Sequence, residues 1–348
     1  MRAARSRLSY IDHAKAIGII CICLGHFLPR GYWLKVILYS FHVPVFAYIS
    51  GLLFNTPSTY SSCFQKTVAL LKRILIPYTV WHIISAIVLF SESGWNWSLF
   101  FKTYFFLEGK TIWNDALWYL PAIFIVSLLF VFFSRITKGN NVICLCASLL
   151  AFVAFTILDL SDTVITLFSF TNFLSAKNLI LLFGFYCLGF ASAPIITKLI
   201  CIKDNARKNV FIYASILIFA VSCGVSAYFN TNDAITLLYD DYNNPIRFVI
   251  LAIILSISFV VSCAILPRCN ISELLSANTL FIMSSHYLFV KYWLWANSGT
   301  FQHTAFIGTI LAVNVILIYV LALLLLQKAL KNKDKIARPL ETLGISII

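Results

Sequence analysis

The sequence predicts an all-α, polytopic membrane protein with ten transmembrane helices and both termini in the cytoplasm. Three observations lead there. The first is composition: 61% of the 348 residues are apolar, and only 26 Lys and Arg and 13 Asp and Glu carry charge. A soluble domain averages roughly 45–50% apolar and about 25% charged. The second is that the apolar residues gather in runs, each near the roughly 20 residues a helix needs to cross a bilayer. The third is charge segregation. When the runs alternate in direction, 18 of the 26 Lys and Arg fall on the side of the N-terminus and six on the other, with Lys15 and Lys291 inside runs. Lys and Arg accumulate on the cytoplasmic side of membrane proteins, so this bias places both ends there. The net charge of +13 follows from topology and needs no nucleic-acid partner.

The runs are residues 11–29, 36–54, 68–90, 115–133, 142–159, 178–200, 209–229, 246–266, 278–296 and 304–327. They divide the chain into a cytoplasmic N-terminal segment (1–10), a ten-helix membrane domain (11–327) and a basic cytoplasmic tail (328–348). The longest connections, 91–114, 160–177 and 230–245, are too short to fold independently. Arg2, Arg5 and Arg7 precede the first run as in a secretory leader, but Asp12 and Lys15 interrupt its apolar stretch and no small-x-small cleavage site follows. That run is therefore expected to remain as a span. The ten cysteines include no CxxC pair and most lie within runs, so they read as small apolar residues rather than disulfide partners or metal ligands. No internal repeat is visible.

Charged and polar side chains inside a span are costly and mark functional candidates. In the first run, IDHAKAIGIICICLGHF, Asp12, Lys15 and His26 lie on nearly one helical face. Eleven residues separate Lys15 from His26, about three turns and about 16 Å of rise with an angular offset of about 20°. Asp12 and Lys15, at i and i+3, can pair. This arrangement favours a lined cavity, with the ion pair at the cytoplasmic end and His26 toward the outer end. The second run, YSFHVPVFAYISGLLF, brings His42 to a matching depth, because only a short turn joins the two helices. Two histidines so placed suit proton handling better than metal, since a catalytic zinc takes three protein ligands and no HExxH spacing is present. Pro44 reads as a first-turn proline, and Ser50-Gly51 as a small patch for close helix contact.

Lys66, Lys72 and Arg73 precede Pro77 in the third run and form a basic cluster at the cytoplasmic surface. Two readings of it are open: attraction to anionic lipid, and a clamp for a phosphorylated cytosolic ligand, for which Arg offers a planar fork. Pro77 would open the backbone ladder near Arg73. Trp118 and Tyr119, in Asp115-Ala-Leu-Trp-Tyr-Leu-Pro121, sit where aromatic residues anchor a helix at the interface or line a substrate cavity. His286 lies in mid-span beside Ser284 and Ser285, either as a functional group or as a serine-satisfied structural one. His13, His82 and His303 lack a recognisable partner. Serine hydrolases and P-loop nucleotide hydrolases are excluded, because GxSxG and the P-loop are both missing.

The strings IDHAKAIGIICICLGH, FHVPVFAYISGLLF, KRILIPY, LWYLPAIF and LSANTLFIMSSHYLF, in this order, resemble the acyltransferase-3 family of integral membrane acyltransferases. Within that family the chain is similar to the stand-alone, fucose 4-O-acetylase-like members. The resemblance implies a ten-helix enzyme of the bacterial inner membrane that moves an acetyl group from cytosolic acetyl-CoA to a sugar hydroxyl of a surface polysaccharide or its lipid-linked precursor. Acetyl-CoA is then a co-substrate, and no bound cofactor is implied. By position, His26 matches the family's catalytic histidine and Lys15 its paired basic residue. Arg73 matches the basic position associated with the CoA donor, and His42 and His286 match recurrent histidines. The chain departs from the family at Leu70, where many members carry the first Arg of Arg-x-x-Arg; Lys72 or Lys66 is the candidate replacement.

Taken together, these residues predict His26 as general base toward the acceptor hydroxyl. Asp12, about 20 Å away along the helix, is too distant to orient it, which leaves His42 or a backbone carbonyl as the expected partner. An acetylated-histidine intermediate is equally compatible. From another class, a carrier or flippase for lipid-linked glycan would line its path with Asp12, Lys15, His26 and His286. A glycan polymerase would be expected to bear acidic residues on a large outer loop, and the loops here are small.

Overall fold

The structure, a computed structural model, describes residues 8–93, 96–105, 114–160, 176–202, 204–230, 234–237, 241–296 and 304–330. These form helices α1 (Ser9–Phe27), α2 (Trp33–Tyr39), α3 (His42–Leu52), α4 (Tyr60–Leu70), α5 (Ile76–Ser93), α6 (Trp97–Phe105), α7 (Tyr119–Ile136), α8 (Asn141–Leu160), α9 (Ala176–Ile200), α10 (Asn205–Phe229), α11 (Pro245–Ser262), α12 (Asn270–Ala277), α13 (Thr279–Ala296) and α14 (Ala305–Leu330). Among the described residues, nine helical stretches are long and apolar enough to cross a membrane. They cover every predicted run except 278–296. That run is helical as α13, with Ser284, Ser285, His286 and Lys291 interrupting its apolar stretch. The predicted segment 1–10 is described only from Leu8, and the predicted tail 328–348 only to Leu330.

Two runs differ from expectation in ways that shape the interior. The second is broken between α2 and α3 at Ser40 and Phe41. Backbone polar groups at membrane depth must find partners inside the protein, and here side chains supply them. Ser40 Oγ lies 2.9 Å from Val36 O and 2.6 Å from Ser226 Oγ, and the His42 ring nitrogen Nδ1 lies 2.9 Å from Leu38 O. Pro44 falls in the first turn of α3, where its missing N–H costs nothing.

The third run starts earlier than expected, at a Thr59–Ser62 capping box, and passes through a π segment at Leu71–Leu75 before α5. Pro77 has no N–H for the carbonyl of Arg73. The ladder widens instead, so that Ile76 N–H reaches back to Leu71 O. The loop predicted at 91–114 contains α6, held by Tyr78 Oη donating to Tyr104 O at 2.8 Å.

Helix α1 lies at the centre, against α3, α12, α13 and α14, while α3 crosses α9. At that crossing a Cβ on Gly51 would stand 2.0 Å from Tyr186 O, and one on Gly189 2.0 Å from Tyr48 O. The two backbones touch, as the small patch at Ser50-Gly51 predicted. The outer faces of α8, α10 and α14 carry exposed Leu149, Leu150, Leu217, Val221, Leu317 and Leu321. This apolar exterior is the surface a protein presents to acyl chains rather than to water.

Candidate active site

Two chambers open at opposite ends of the α1–α3–α7 axis. The first, about 460 Å³, is lined by the C-terminal end of α1, the break between α2 and α3, the start of α7, residues 235–237 and α13. His26, Tyr39, His42, Trp118, Tyr119 and Tyr287 face it, with Arg30, Lys35 and Asp115 among its polar groups. The second, about 910 Å³, is lined by the N-terminal half of α1, the end of α3, α4, the π segment and α7.

In the first chamber His26 is enclosed by rings. The centroids of His286, Tyr287 and Tyr39 lie 5.1, 5.3 and 6.0 Å from its own. Tyr39 Oη is 3.5 Å from His26 Nδ1, which leaves Nε2 as the other available nitrogen. Tyr39 can approach because residue 25 is glycine: a Cβ there would be 2.6 Å from Tyr39 Cε2. Tyr39 also packs against His42, with centroids 4.5 Å apart and the rings tilted by 45°. The Nδ1–H groups of His42 and His286 donate to the carbonyls of Leu38 (2.9 Å) and Ile282 (3.0 Å), which fixes their tautomers and leaves Nε2 bare. His286 Nε2 is buried and has no hydrogen-bond partner among the described residues. Asp115 accepts a hydrogen bond from Tyr287 Oη. Residues 235–237 are held over the chamber by buried Asn178, whose Nδ2 donates to Leu237 O at 2.6 Å and whose Oδ1 accepts from Tyr242 Oη at 2.9 Å.

The second chamber is basic. Lys15, Lys66, Lys72 and Arg73 line it, and its described lining holds no carboxylate. The π segment carries Lys72 and Arg73. Lys66 Nζ donates to Asn55 O and lies 4.3 Å above the Phe54 ring. Lys15 Nζ donates to Ser276 O at 2.9 Å, and Ser276 Oγ donates to Asp12 Oδ1 at 2.6 Å, so Ser276 bridges the two charges. Asp12 is buried and lines neither chamber. Four cations around one cavity lower the potential energy of a polyanion there, most strongly away from bulk water.

Three side chains border both chambers: Phe46, Tyr119 and Met283. They form a partition between a histidine-bearing chamber and a polycationic one. Among the described residues no group of three His, Cys, Asp or Glu is arranged to hold a metal ion.

The sequence model of the acyltransferase-3 family, an acyltransferase domain, matches residues 8–326, nearly the whole chain. The chain belongs to the acyltransferase-3 family. No curated protein and no solved structure matches it. As an acyltransferase-3 protein it is a multi-pass membrane acyltransferase, and both chambers lie within the matched residues.

Within this acyltransferase-3 protein the predicted residues separate into groups. His26, His42, Trp118 and Tyr119 meet in the first chamber, while Lys15, Arg73, Lys72 and Lys66 meet in the second. His286 stands behind His26 and Asp12 behind Lys15. Beside His42, expected as the orienting partner of His26, the structure sets three further rings: His286 and Tyr287 stand closest by centroid, and Tyr39 brings its hydroxyl to 3.5 Å from His26 Nδ1. Tyr39, Asp115 and Tyr287 were not foreseen. Tyr39 falls three residues before His42, a spacing that would have placed it on the same helical face. Leu70 lines the basic chamber, so the position where relatives carry Arg does face the cavity, and Lys66 lies one turn before it.

Proposed function

We propose that this acyltransferase is an O-acetyltransferase of the bacterial inner membrane. Its donor is acetyl-CoA, and its acceptor is a sugar hydroxyl of a surface polysaccharide or its lipid-linked precursor, in the manner of the fucose 4-O-acetylase-like members. The observation that carries this reading is the pair of chambers, one polycationic and one histidine-bearing, meeting at a three-residue partition. A CoA thioester has that polarity: a phosphorylated head for the cations, and a long neutral arm that delivers the acyl carbon to a distant base. If the chain has ten spans with both termini in the cytoplasm, as its charge bias predicts, the basic chamber lies on the side where acetyl-CoA is made.

Arg73, Lys72 and Lys66 hold the phosphates, Arg73 through its fork. Lys15, fixed through Ser276 to Asp12, adds a cation deeper in the chamber. His26 takes the acceptor's proton on Nε2 as the hydroxyl oxygen attacks the thioester carbonyl, and Nδ1–H donates to Tyr39. Trp118 offers its face to the sugar ring, while His42 and His286 keep the first chamber polar around His26. Membrane lipid is the remaining partner.

The test is direct. Purified protein should be thermally stabilised by acetyl-CoA, and cells should lose O-acetyl signals from the NMR spectrum of their surface glycan when His26 is replaced by Ala. Full acetylation by a normally expressed His26→Ala protein would remove His26 from the chemistry. Stabilisation by a lipid-linked glycan but never by acetyl-CoA would favour a carrier.

A further inference from the structure

Of the three side chains that border both chambers, Tyr119 alone carries a hydrogen-bond donor. It opens α7, directly after a 3-10 turn at Asp115–Trp118. Buried Asn114 pins that turn: its Oδ1 accepts from Ala116 N, and its Nδ2 donates to Ser284 O on α13 at 2.8 Å and to Ser85 Oγ on α5 at 3.2 Å. The backbone carrying Tyr119 is therefore fixed from two neighbouring helices. Tyr119 is 8% exposed, and its hydroxyl is buried with no hydrogen-bond partner among the described residues. A buried tyrosine hydroxyl ordinarily finds a partner inside the protein. One left without a partner, on a pinned element between two ligand chambers, is set to donate to a ligand that spans them.

We propose that Tyr119 is a catalytic residue whose hydroxyl donates a hydrogen bond to the carbonyl oxygen of the acyl thioester. This rests on the assignment of the two chambers to donor and acceptor. As the acceptor oxygen bonds to the carbonyl carbon, the carbonyl π pair moves onto oxygen, and the Tyr119 O–H faces the charge that develops. The pair then returns, the C–S bond breaks, and its electrons leave on the CoA sulfur. The acceptor's proton, held meanwhile by His26, passes to that sulfur. Tyr119 keeps its own proton throughout. Should the acyl group pass first to His26, the same oxygen becomes charged and Tyr119 acts on it in the same way.

Tyr119→Phe removes one oxygen atom and preserves the ring that seals the partition. In full-length protein in nanodiscs, kcat should fall about 10²–10³-fold, the loss typical of one oxyanion donor, with KM for acetyl-CoA raised by no more than about 3–10-fold, the share of the hydrogen bond already made in the ground state. The unfolding temperature should hold or rise, because a buried hydroxyl without a partner is gone. A binding measurement gives a second readout: wild type should prefer acetyl-CoA over S-ethyl-CoA, a thioether with no carbonyl, by about 3–10-fold, and the variant should bind both alike. A wild-type kcat in Tyr119→Phe, or a preference that survives the substitution, overturns the proposal. If wild type binds neither compound and transfers no acetyl group, the donor assignment itself has failed, and the role of Tyr119 falls with it.

Discussion

Replacing Gly25 by alanine should slow acetyl transfer about 100-fold while leaving the donor site intact. The new Cβ would lie 2.6 Å from Tyr39 Cε2 and 3.2 Å from Cδ2. Carbon atoms settle at roughly 3.5–4.0 Å, so the ring must retreat by about 1 Å. Its hydroxyl is 3.5 Å from His26 Nδ1, at the limit of a hydrogen bond, and a retreat of that size breaks the contact and frees the imidazole to turn. Misplacing a reacting group by about 1 Å can cost on the order of 10²-fold. The stability loss should stay near the roughly 1–3 kcal/mol of ordinary overpacking, because a side chain yields rather than a backbone. The assay is the initial rate of CoA release in the presence of acceptor, measured beside thermal stabilisation by acetyl-CoA. Neither Gly25 nor Tyr39 lines the basic chamber, so stabilisation should persist. Gly224→Ala is the control, since a Cβ there meets nothing within 4 Å. A wild-type rate in Gly25→Ala would refute the positioning of His26 by Tyr39. Parallel loss of acetyl-CoA stabilisation would show that the substitution acts on the whole fold instead.

Four further outcomes are expected. Arg73→Ala should weaken acetyl-CoA binding about 10–100-fold, the range of a hydrogen bond to a charged group, with kcat at saturation altered less; an unchanged midpoint in a thermal-shift titration would remove Arg73 from the clamp. Leu70→Arg places a fifth cation in the lining of the basic chamber and should lower KM for acetyl-CoA by about two- to fivefold, read from steady-state kinetics. Gly189→Ala sets a methyl 2.0 Å from a backbone oxygen that has no freedom to move aside, so the protein should fail to accumulate or should melt far below wild type in detergent. Asn178→Leu strips the partners from Leu237 O and Tyr242 Oη; hydrogen exchange should rise at 234–237 and transfer should drop about tenfold, with acetyl-CoA stabilisation retained.

Much of this molecule is written locally. The spans are legible because lipid demands long apolar runs, and His26 and His42 because polar groups inside such runs are expensive. The π segment is implied by Pro77 alone. What escaped the sequence depends on partners far along the chain. The break at Ser40 is held by Ser226, 186 residues away, and nothing in YSFHVPVF shows that this hydroxyl exists opposite it. His286 reads as a lone histidine until α13 packs on α1. Tyr39 carries no signal in the sequence, and its place depends on the room that Gly25 leaves for it. The polarity of α13 lowers its apparent fitness as a span, yet Met283, Tyr287 and Val290 on that helix line the first chamber.

The partition has an electrical consequence. Among the described residues Phe46, Tyr119 and Met283 border both chambers, so on the proposed reading the insulating layer between the chambers is thin at these side chains. A membrane potential of 100 mV is worth about 2.3 kcal/mol per elementary charge, and on this reading part of that drop falls across these three residues. The same side chains decide how large an acyl group can reach His26. Trimming Met283 to admit a bulkier group should therefore also admit protons, tying the range of acyl groups the enzyme accepts to the leak its membrane tolerates.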